Sequence, residues 1–186
     1  MKARTITQGV SWLGAVDWDR RLFDSLIPLP DGTSYNAYLI EGSDKTALLD
    51  TVDPAKADVL LDQLKDVSTI DYLVSHHAEQ DHSGTLPLVL ERFPQAKIVC
   101  TPKAKGMLMD LLQLPEDSFL TMEDGQTVSL GNKTLQFIRR HLDEHGYAPS
   151  LEEIGAAIGV RSRGSVHRYV SRLQDKGYLR REPRGA

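Results

Sequence analysis

A single cysteine, Cys100, stands among 186 residues. It rules out a disulfide framework and fits a reducing cytoplasm. No apolar run approaches the roughly 18–20 residues needed to cross a bilayer, so no membrane partner is expected. The opening MKARTITQGVSW has two basic residues but lacks the apolar stretch that would follow them in a secretory signal. There is no G-x-x-x-x-G-K-[ST], no G-x-G-x-x-G and no G-x-S-x-G, which removes the nucleotide-binding and hydrolase classes that carry those motifs. No protease nucleophile or other catalytic residue can be assigned. Internal repeats and low-complexity linkers are also missing.

What is present is ordinary globular composition, with 40% apolar and 26% charged residues. The net charge of −4 would argue against nucleic acid if it were evenly spread. Residues 1–133, however, hold 12 Lys and Arg against 20 Asp and Glu, a net of −8, whereas residues 134–186 hold 10 against 6, a net of +4. Such a division suggests two modules with different partners, 1–133 and 134–186.

The first module alternates strands and helices. TSYNAYLIEG (33–42) and KTALLDTVD (45–53) read as two strands of a hairpin turning at Gly42, Ser43 and Asp44. Pro54 opens a helix carrying Val59, Leu60, Leu61 and Leu64. DYLVSHH (71–77) is a short strand ending in a polar cluster, followed by a helix from Leu86 to Phe93, a buried strand KIVC (97–100) and a helix over 101–114 with Pro102 in its first turn. QTVSL (126–130) and KTLQFI (133–138) have strand character around a turn at Gly131-Asn132. Cys100 reads as a buried core thiol, and Trp12 and Trp18 as core or interface aromatics.

The last stretch has a different period. Leu135, Ile138 and Leu142 are spaced as on a helix ending near Gly146, so KTLQFI fits both a strand and a helix. His141 and His145 fall on that amphipathic pattern and read as helix residues rather than ligands. Ser150-Leu-Glu-Glu153 is a capping box leading into Ile154, Ala157 and Ile158, with Gly159 as a stop. Ser162 caps a third helix that buries Val166, Tyr169, Val170 and Leu173, and Gly177 ends it before a strand YLRRE (178–182). Three helices and a strand make the plan of a winged helix-turn-helix.

His77, Glu79, Asp81 and His82 place four potential metal ligands within six residues, directly after a strand. Two imidazoles with two carboxylates form a mixed nitrogen and oxygen donor set that suits iron or manganese and also holds zinc. HAEQDHSG, with NAYLIEGSDKTALLDTV before it, resembles the flavodiiron proteins, oxygen and nitric oxide reductases with a metallo-β-lactamase-like domain. The likeness runs from about residue 3 to 138. It implies that His77 and Glu79 hold one iron and that Asp81 and His82 hold the other, with His76 structural or supporting. It also implies ligands from a later part of the αββα sandwich, and a flavin domain, that this sequence does not match; no flavin site is encoded. Half a sandwich would leave an apolar sheet face uncovered, so the module is expected to be marginally stable or to hide that face in a homodimer.

In the basic segment, the third helix leaves Arg163, Gly164, Ser165, His167, Arg168 and Ser171 on or near its open face. Its first turns are suited to a major groove. Arg168, Arg172 and Lys176 recur at intervals of four residues, and with Arg161, Arg180 and Arg181 are placed to meet phosphates. FIRRHLDEHGYAPSLEEIGAAIGVRSRGSVHRYVSRLQDKGYLRREPRGA resembles the DNA-binding domain of LexA-type SOS repressors over about 134–186. The resemblance implies that Ser162, Gly164, Ser165, His167 and Arg168 read an operator in double-stranded DNA.

The expected architecture is therefore mixed α+β and α/β: a truncated metallo-β-lactamase-like αββα half followed by a small winged helix-turn-helix. Three functional readings stay open. The first is a cytoplasmic DNA-binding regulator of the repressor type with a partial metal module responsive to metal or redox state. The second is a non-heme diiron oxidoreductase fragment completed by another chain. The third is a chimera of two fragments without joint function.

Overall fold

In a computed structural model the chain is described over residues 2–131, 133–175 and 177–180. It divides into two compact units between Leu130 and Gly131.

The first unit is built on a seven-stranded sheet in the order β1 (Arg4–Thr7), β2 (Val10–Trp12), β7 (Tyr38–Glu41), β8 (Thr46–Leu49), β9 (Tyr72–Val74), β10 (Lys97–Cys100) and β11 (Phe119–Thr121). Neighbouring strands are antiparallel from β1 to β8 and parallel from β8 to β11. Parallel neighbours need crossovers. Helices α1 (Ala57–Gln63), α3 (Leu86–Arg92) and α4 (Pro102–Leu112) supply them, and a one-turn helix α2 (Gln80–Ser83) precedes α3. Two ribbons stand apart from the sheet: β3 (Ala15–Asp17) with β6 (Thr33–Tyr35), and β4 (Leu22–Phe23) with β5 (Ile27–Pro28).

Registry explains the core. Leu39, Leu48, Leu73, Ile98 and Phe119 lie in one row across five strands, and they join Leu60, Leu86, Val89 and Leu108 of the helices in a single apolar cluster. Because side chains alternate along a strand, the adjacent row of Tyr38, Leu49, Val74, Val99 and Leu120 belongs to the opposite face and lies outside that cluster. Val99 is buried there, Tyr38, Leu49 and Val74 are half-buried, and Leu120 is exposed.

The hairpin turning at 42–44 forms as the sequence predicts, with Glu41 opposite Thr46. The single strand expected over 33–42 does not: it breaks after Tyr35 and resumes at Tyr38 in a different sheet. The side chain of Asn36 in the break accepts a hydrogen bond from Trp12 Nε1 at 2.9 Å. Trp12 is half-buried, and Trp18, read as a core or interface aromatic, is 66% exposed and so lies outside the core. Cys100 is buried as expected, and burial pushes its thiol pKa up.

Among its described residues the second unit holds three helices, α5 (Lys133–His145), α6 (Leu151–Ile158) and α7 (Arg163–Asp175). Residues 133–138 are helical, so the strand reading of KTLQFI is corrected; residues 126–130 form no strand either. The helical period wins because it places Ile138 on Ile154 and Val166, the buried centre of the three-helix core. The capping box forms in full: Ser150 Oγ accepts from Glu153 N at 3.2 Å, and the Glu153 carboxylate accepts from Ser150 N at 2.7 Å. The Ser150 N–H, and after it the Ser150 hydroxyl, hold the Glu153 pKa below the usual carboxylate range. Gly159 ends α6 at φ +72°. His141 is buried and stacked on His145 at 4.3 Å, inside the helical unit. The wing strand expected over 178–182 is not formed at 178–180, and residues 181–182 lie outside the described residues.

Candidate functional sites

The strands β8 and β9 run side by side and parallel, so their carboxyl ends open at the same edge, where ligands bind in open α/β sheets. The chain leaves β8 at Asp50 and β9 at Ser75, and the loop of 75–84 is stapled to the exit of β8 by small polar residues. Thr51 donates to the His82 carbonyl through both its N–H and its hydroxyl, each at 2.8 Å. Ser75 Oγ donates to the His77 carbonyl at 2.9 Å, and Ser83 Oγ sits 3.0 Å from the carbonyls of Ala78 and Glu79. Buried Thr85 donates to the Val52 carbonyl at 2.7 Å. Gly84 has no room for more, since a Cβ there would lie 2.6 Å from Gln80 O and 2.7 Å from the Pro54 ring.

This frame presents the four expected ligands as two pairs. His77 Nε2 lies 3.3 Å from Glu79 Oε2, and His82 Nε2 lies 3.7 Å from Asp81 Oδ2. The two imidazoles meet edge to face, with centroids 5.6 Å apart. Among the described residues, no three ligating side chains gather around one point. Imidazole nitrogen with carboxylate oxygen fits iron or zinc, and each pair fits as two donors of a larger shell. One buried polar atom in the loop, His82 Nδ1, makes no hydrogen bond.

Asp50 belongs to this site although no short sequence motif marks it. It holds a left-handed backbone at φ +53°, uncommon for a residue other than glycine. Its Oδ1 accepts from His76 N at 2.8 Å, and its Oδ2 lies 3.1 Å from His76 Nδ1 and 3.4 Å from His82 Nδ1. The available signal was an acidic residue closing a strand beside the loop of candidate ligands, but nothing in the sequence tells which of the acids in LLDTVD turns toward it.

Next to this exit lies a second group of charges. Lys56 Nζ meets buried Asp17 at 3.2 Å, and Arg20 Nη1 meets Asp53 at 3.3 Å. Burial opposes ionisation of Asp17, yet the Lys56 and backbone hydrogen bonds outweigh it and lower its pKa. Burial and the charge of Asp53 push the pKa of Tyr35, 3.4 Å from Asp17, up to about 12.

In the second unit, α7 turns Val166 and Leu173 inward and leaves Val170 half-buried. Tyr169 was expected inside; it is 43% exposed, one position past the apolar stripe. Arg161, Ser162, Arg163, Gly164, His167, Arg168 and Arg172 are exposed, and Ser165 and Ser171 half-buried. Ser162 opens the helix, its Oγ accepting from Ser165 N at 3.4 Å. Arg180 is exposed; Lys176 and Arg181 lie outside the described residues. The approach of α6 to the turn before α7 depends on Gly155, where a Cβ would lie 2.7 Å from Val160 O and 3.2 Å from Val166 Cγ2.

Residues 30–151 match the metallo-beta-lactamase superfamily model, and residues 131–186 match the LexA DNA binding domain model. The nitric oxide reductase of Moorella thermoacetica is 42% identical over 137 residues, covering 72% of this chain and 34% of that protein. Among solved structures, rubredoxin oxygen:oxidoreductase from Desulfovibrio gigas aligns with a TM-score of 0.65 and 36% identity, over 69% of this chain and 33% of that one. The flavodiiron protein from Giardia intestinalis aligns with a TM-score of 0.65 and 30% identity, over 70% and 32%. The chain spans about a third of the length of these relatives.

Proposed function

The chain belongs to the metallo-beta-lactamase superfamily and ends in a segment matching the LexA DNA binding domain, and we propose that it is a cytoplasmic DNA-binding regulator whose first unit carries half of a flavodiiron-type metal centre. The observation that carries this reading is the two-sided character of α7. One side is fixed in an apolar core by Val166 and Leu173, and the other offers Arg163, Gly164, His167, Arg168 and Arg172 to solvent. The first turns would enter a major groove, where Ser162, Gly164, Ser165, His167 and Arg168 face base edges, and Arg161 and Arg172 meet phosphates. A two-fold operator of the SOS type needs two recognition helices. A homodimer through the first unit would supply them, and the half-buried row ending at exposed Leu120 is an apolar surface on which it could form.

In this reading His77 and Glu79 would hold one iron, and Asp81 and His82 the other, with zinc as the alternative. Iron held there supplies one-electron chemistry toward dioxygen or nitric oxide, which would make DNA binding responsive to metal or redox state. Two donors per metal leave each shell to be completed by water or by another chain.

The test is a salt series of electrophoretic shifts of the full chain on a palindromic SOS-type operator. Specific retardation that weakens steeply with salt and disappears in Arg168→Ala supports the regulator, and its absence at every salt concentration rejects it. A second reading, a diiron oxidoreductase fragment, is favoured by the pairing of the four ligands. Iron analysis near two per chain, lost in a His77→Ala, Glu79→Ala variant, together with no operator shift would select it. No operator shift and no metal would leave a chimera of two fragments.

A further inference from the structure

The helices of the second unit do not close on one another everywhere. Among the described residues, a groove of about 850 Å³ lies between α5, the turn of 146–150, the first turn of α6 and one side of α7. Its floor is apolar: Ile138 and Ile154 are buried, and Val170 and Leu179 are half-buried. Its lip is apolar as well, with Leu142 39% and Tyr147 58% exposed. A concave, mostly apolar space of roughly 300–1,000 Å³ with a few polar groups is the form of a small-molecule site.

The charges on this groove are of one sign. Arg163 and His167 stand one turn apart on α7, and Arg180 lies past the far end of that helix. No Asp or Glu is among the described residues that line it. Acids are close in sequence, for Asp143 and Glu144 on α5 and Glu152 and Glu153 on α6 are all exposed. The positions those two helices turn to the groove are instead Ile138, Leu142, Leu151 and Ile154. The Glu153 carboxylate is committed to the capping box, 2.7 Å from Ser150 N. An arginine fork matches a carboxylate in two parallel hydrogen bonds, and the apolar floor matches a hydrocarbon body. Contacts to DNA account for Arg163 and His167 but not for the open apolar lip beside them.

We propose that this groove binds an amphipathic anion, a carboxylate on an aliphatic or aromatic body, and that the bound anion releases DNA. The body would lie on Ile138, Ile154 and Val170, and the carboxylate would take the guanidinium of Arg163 with the imidazole of His167 beside it. Arg163 and His167 are also among the residues that the DNA reading gives to an operator, so one occupant excludes the other. The competition rests on that reading, whereas the site itself does not. Linkage makes the effect reciprocal: an anion that weakens operator binding by some factor is held more weakly by the same factor once the operator is bound.

The test uses the full chain, labelled with nitrogen-15 and free of DNA, titrated with octanoate and separately with octylammonium, which has the same body and the opposite charge. Octanoate should move the backbone amides of Leu142, Tyr147, Val170 and Leu179. Octylammonium should bind at least about tenfold more weakly, the difference one charge-assisted hydrogen bond makes. Leu142→Glu sets a carboxylate on the lip from α5, away from the residues given to DNA. It should weaken octanoate at least about tenfold and reverse the preference between the two probes, and its amide spectrum establishes that the unit is folded. With a labelled operator, saturating octanoate, against acetate at equal concentration, should lower the affinity of wild type at least about tenfold. The same addition should leave the affinity of Leu142→Glu unchanged. Equal affinity of wild type for the two probes, or amide changes only outside the groove, overturns the proposal. So does groove binding with operator affinity unmoved by octanoate. Groove binding by a chain that holds no operator at any salt concentration supports the site and rejects the DNA reading.

Discussion

The loop of 75–84 and the helix α7 each gather ionisable side chains into a short stretch, but by different means. The loop has one turn of helix, and its order comes from hydroxyls and a carboxylate that reach it from β8, with Thr51 and Asp50 as the main anchors. In α7 the order comes from period alone: burying Val166 and Leu173 places the arginines outward. A site of the first kind has its geometry set by distant residues, so substitutions far away in sequence should disturb it. A site of the second kind should fail only when its own helix or its bed fails.

The sharpest test of this contrast is Gly155→Ala. A Cβ 2.7 Å from Val160 O must push α6 away from the turn before α7, with an expected loss at the upper end of the roughly 1–3 kcal/mol seen for overpacking. Hydrogen exchange should show the helical unit opening while β8 and β9 stay protected. Next in size, His77→Ala should lower cobalt(II) affinity by more than about a hundredfold, since losing a ligand costs at least as much as losing a supporting partner. Operator affinity measured without metal should not change.

Alkaline pH probes the charges beside the loop. Tyr35 stays neutral in the folded chain up to about pH 12, whereas an unfolded tyrosine ionises near pH 10. The unfolded state therefore binds fewer protons between those values, and stability falls as pH rises through that window, by on the order of 2 kcal/mol. Melting of the first unit in Tyr35→Phe should lack this loss relative to wild type. Arg172→Ala should weaken binding to all DNA sequences alike and lower the salt slope by about one. Smallest is Ser150→Ala, which removes one half of a capping box and should cost the helical unit about 1 kcal/mol by thermal melting.

Local signals were legible and long-range ones were not. The turn at 42–44, the Ser150–Glu153 box and the stop at Gly159 are each written within a few residues, and all three form. The run from Thr33 to Gly42 alternates like one strand, yet the tertiary frame divides it at Asn36, where the Trp12 indole bonds. KTLQFI satisfies both periods, and packing of Ile138 on Ile154 and Val166 decides for the helix. The two family matches overlap over residues 131–151, the stretch where the sequence is ambiguous. The four candidate ligands were visible because they are adjacent, whereas Asp50 was hidden because its contacts lie 26 residues away. Tyr169 looked buried because it adjoins Val170, but a single step around a helix is enough to face solvent.

If α7 is a recognition helix, it should read DNA whether or not the first unit holds metal. Fluorescence anisotropy of the full chain, without metal, on a labelled palindromic operator and on a scrambled duplex tests it most directly. Tighter binding to the operator, a steep fall of affinity with salt on both duplexes, and loss of the operator preference in Arg168→Ala are expected. Equal affinity for the two duplexes, unchanged by Arg168→Ala, would contradict it.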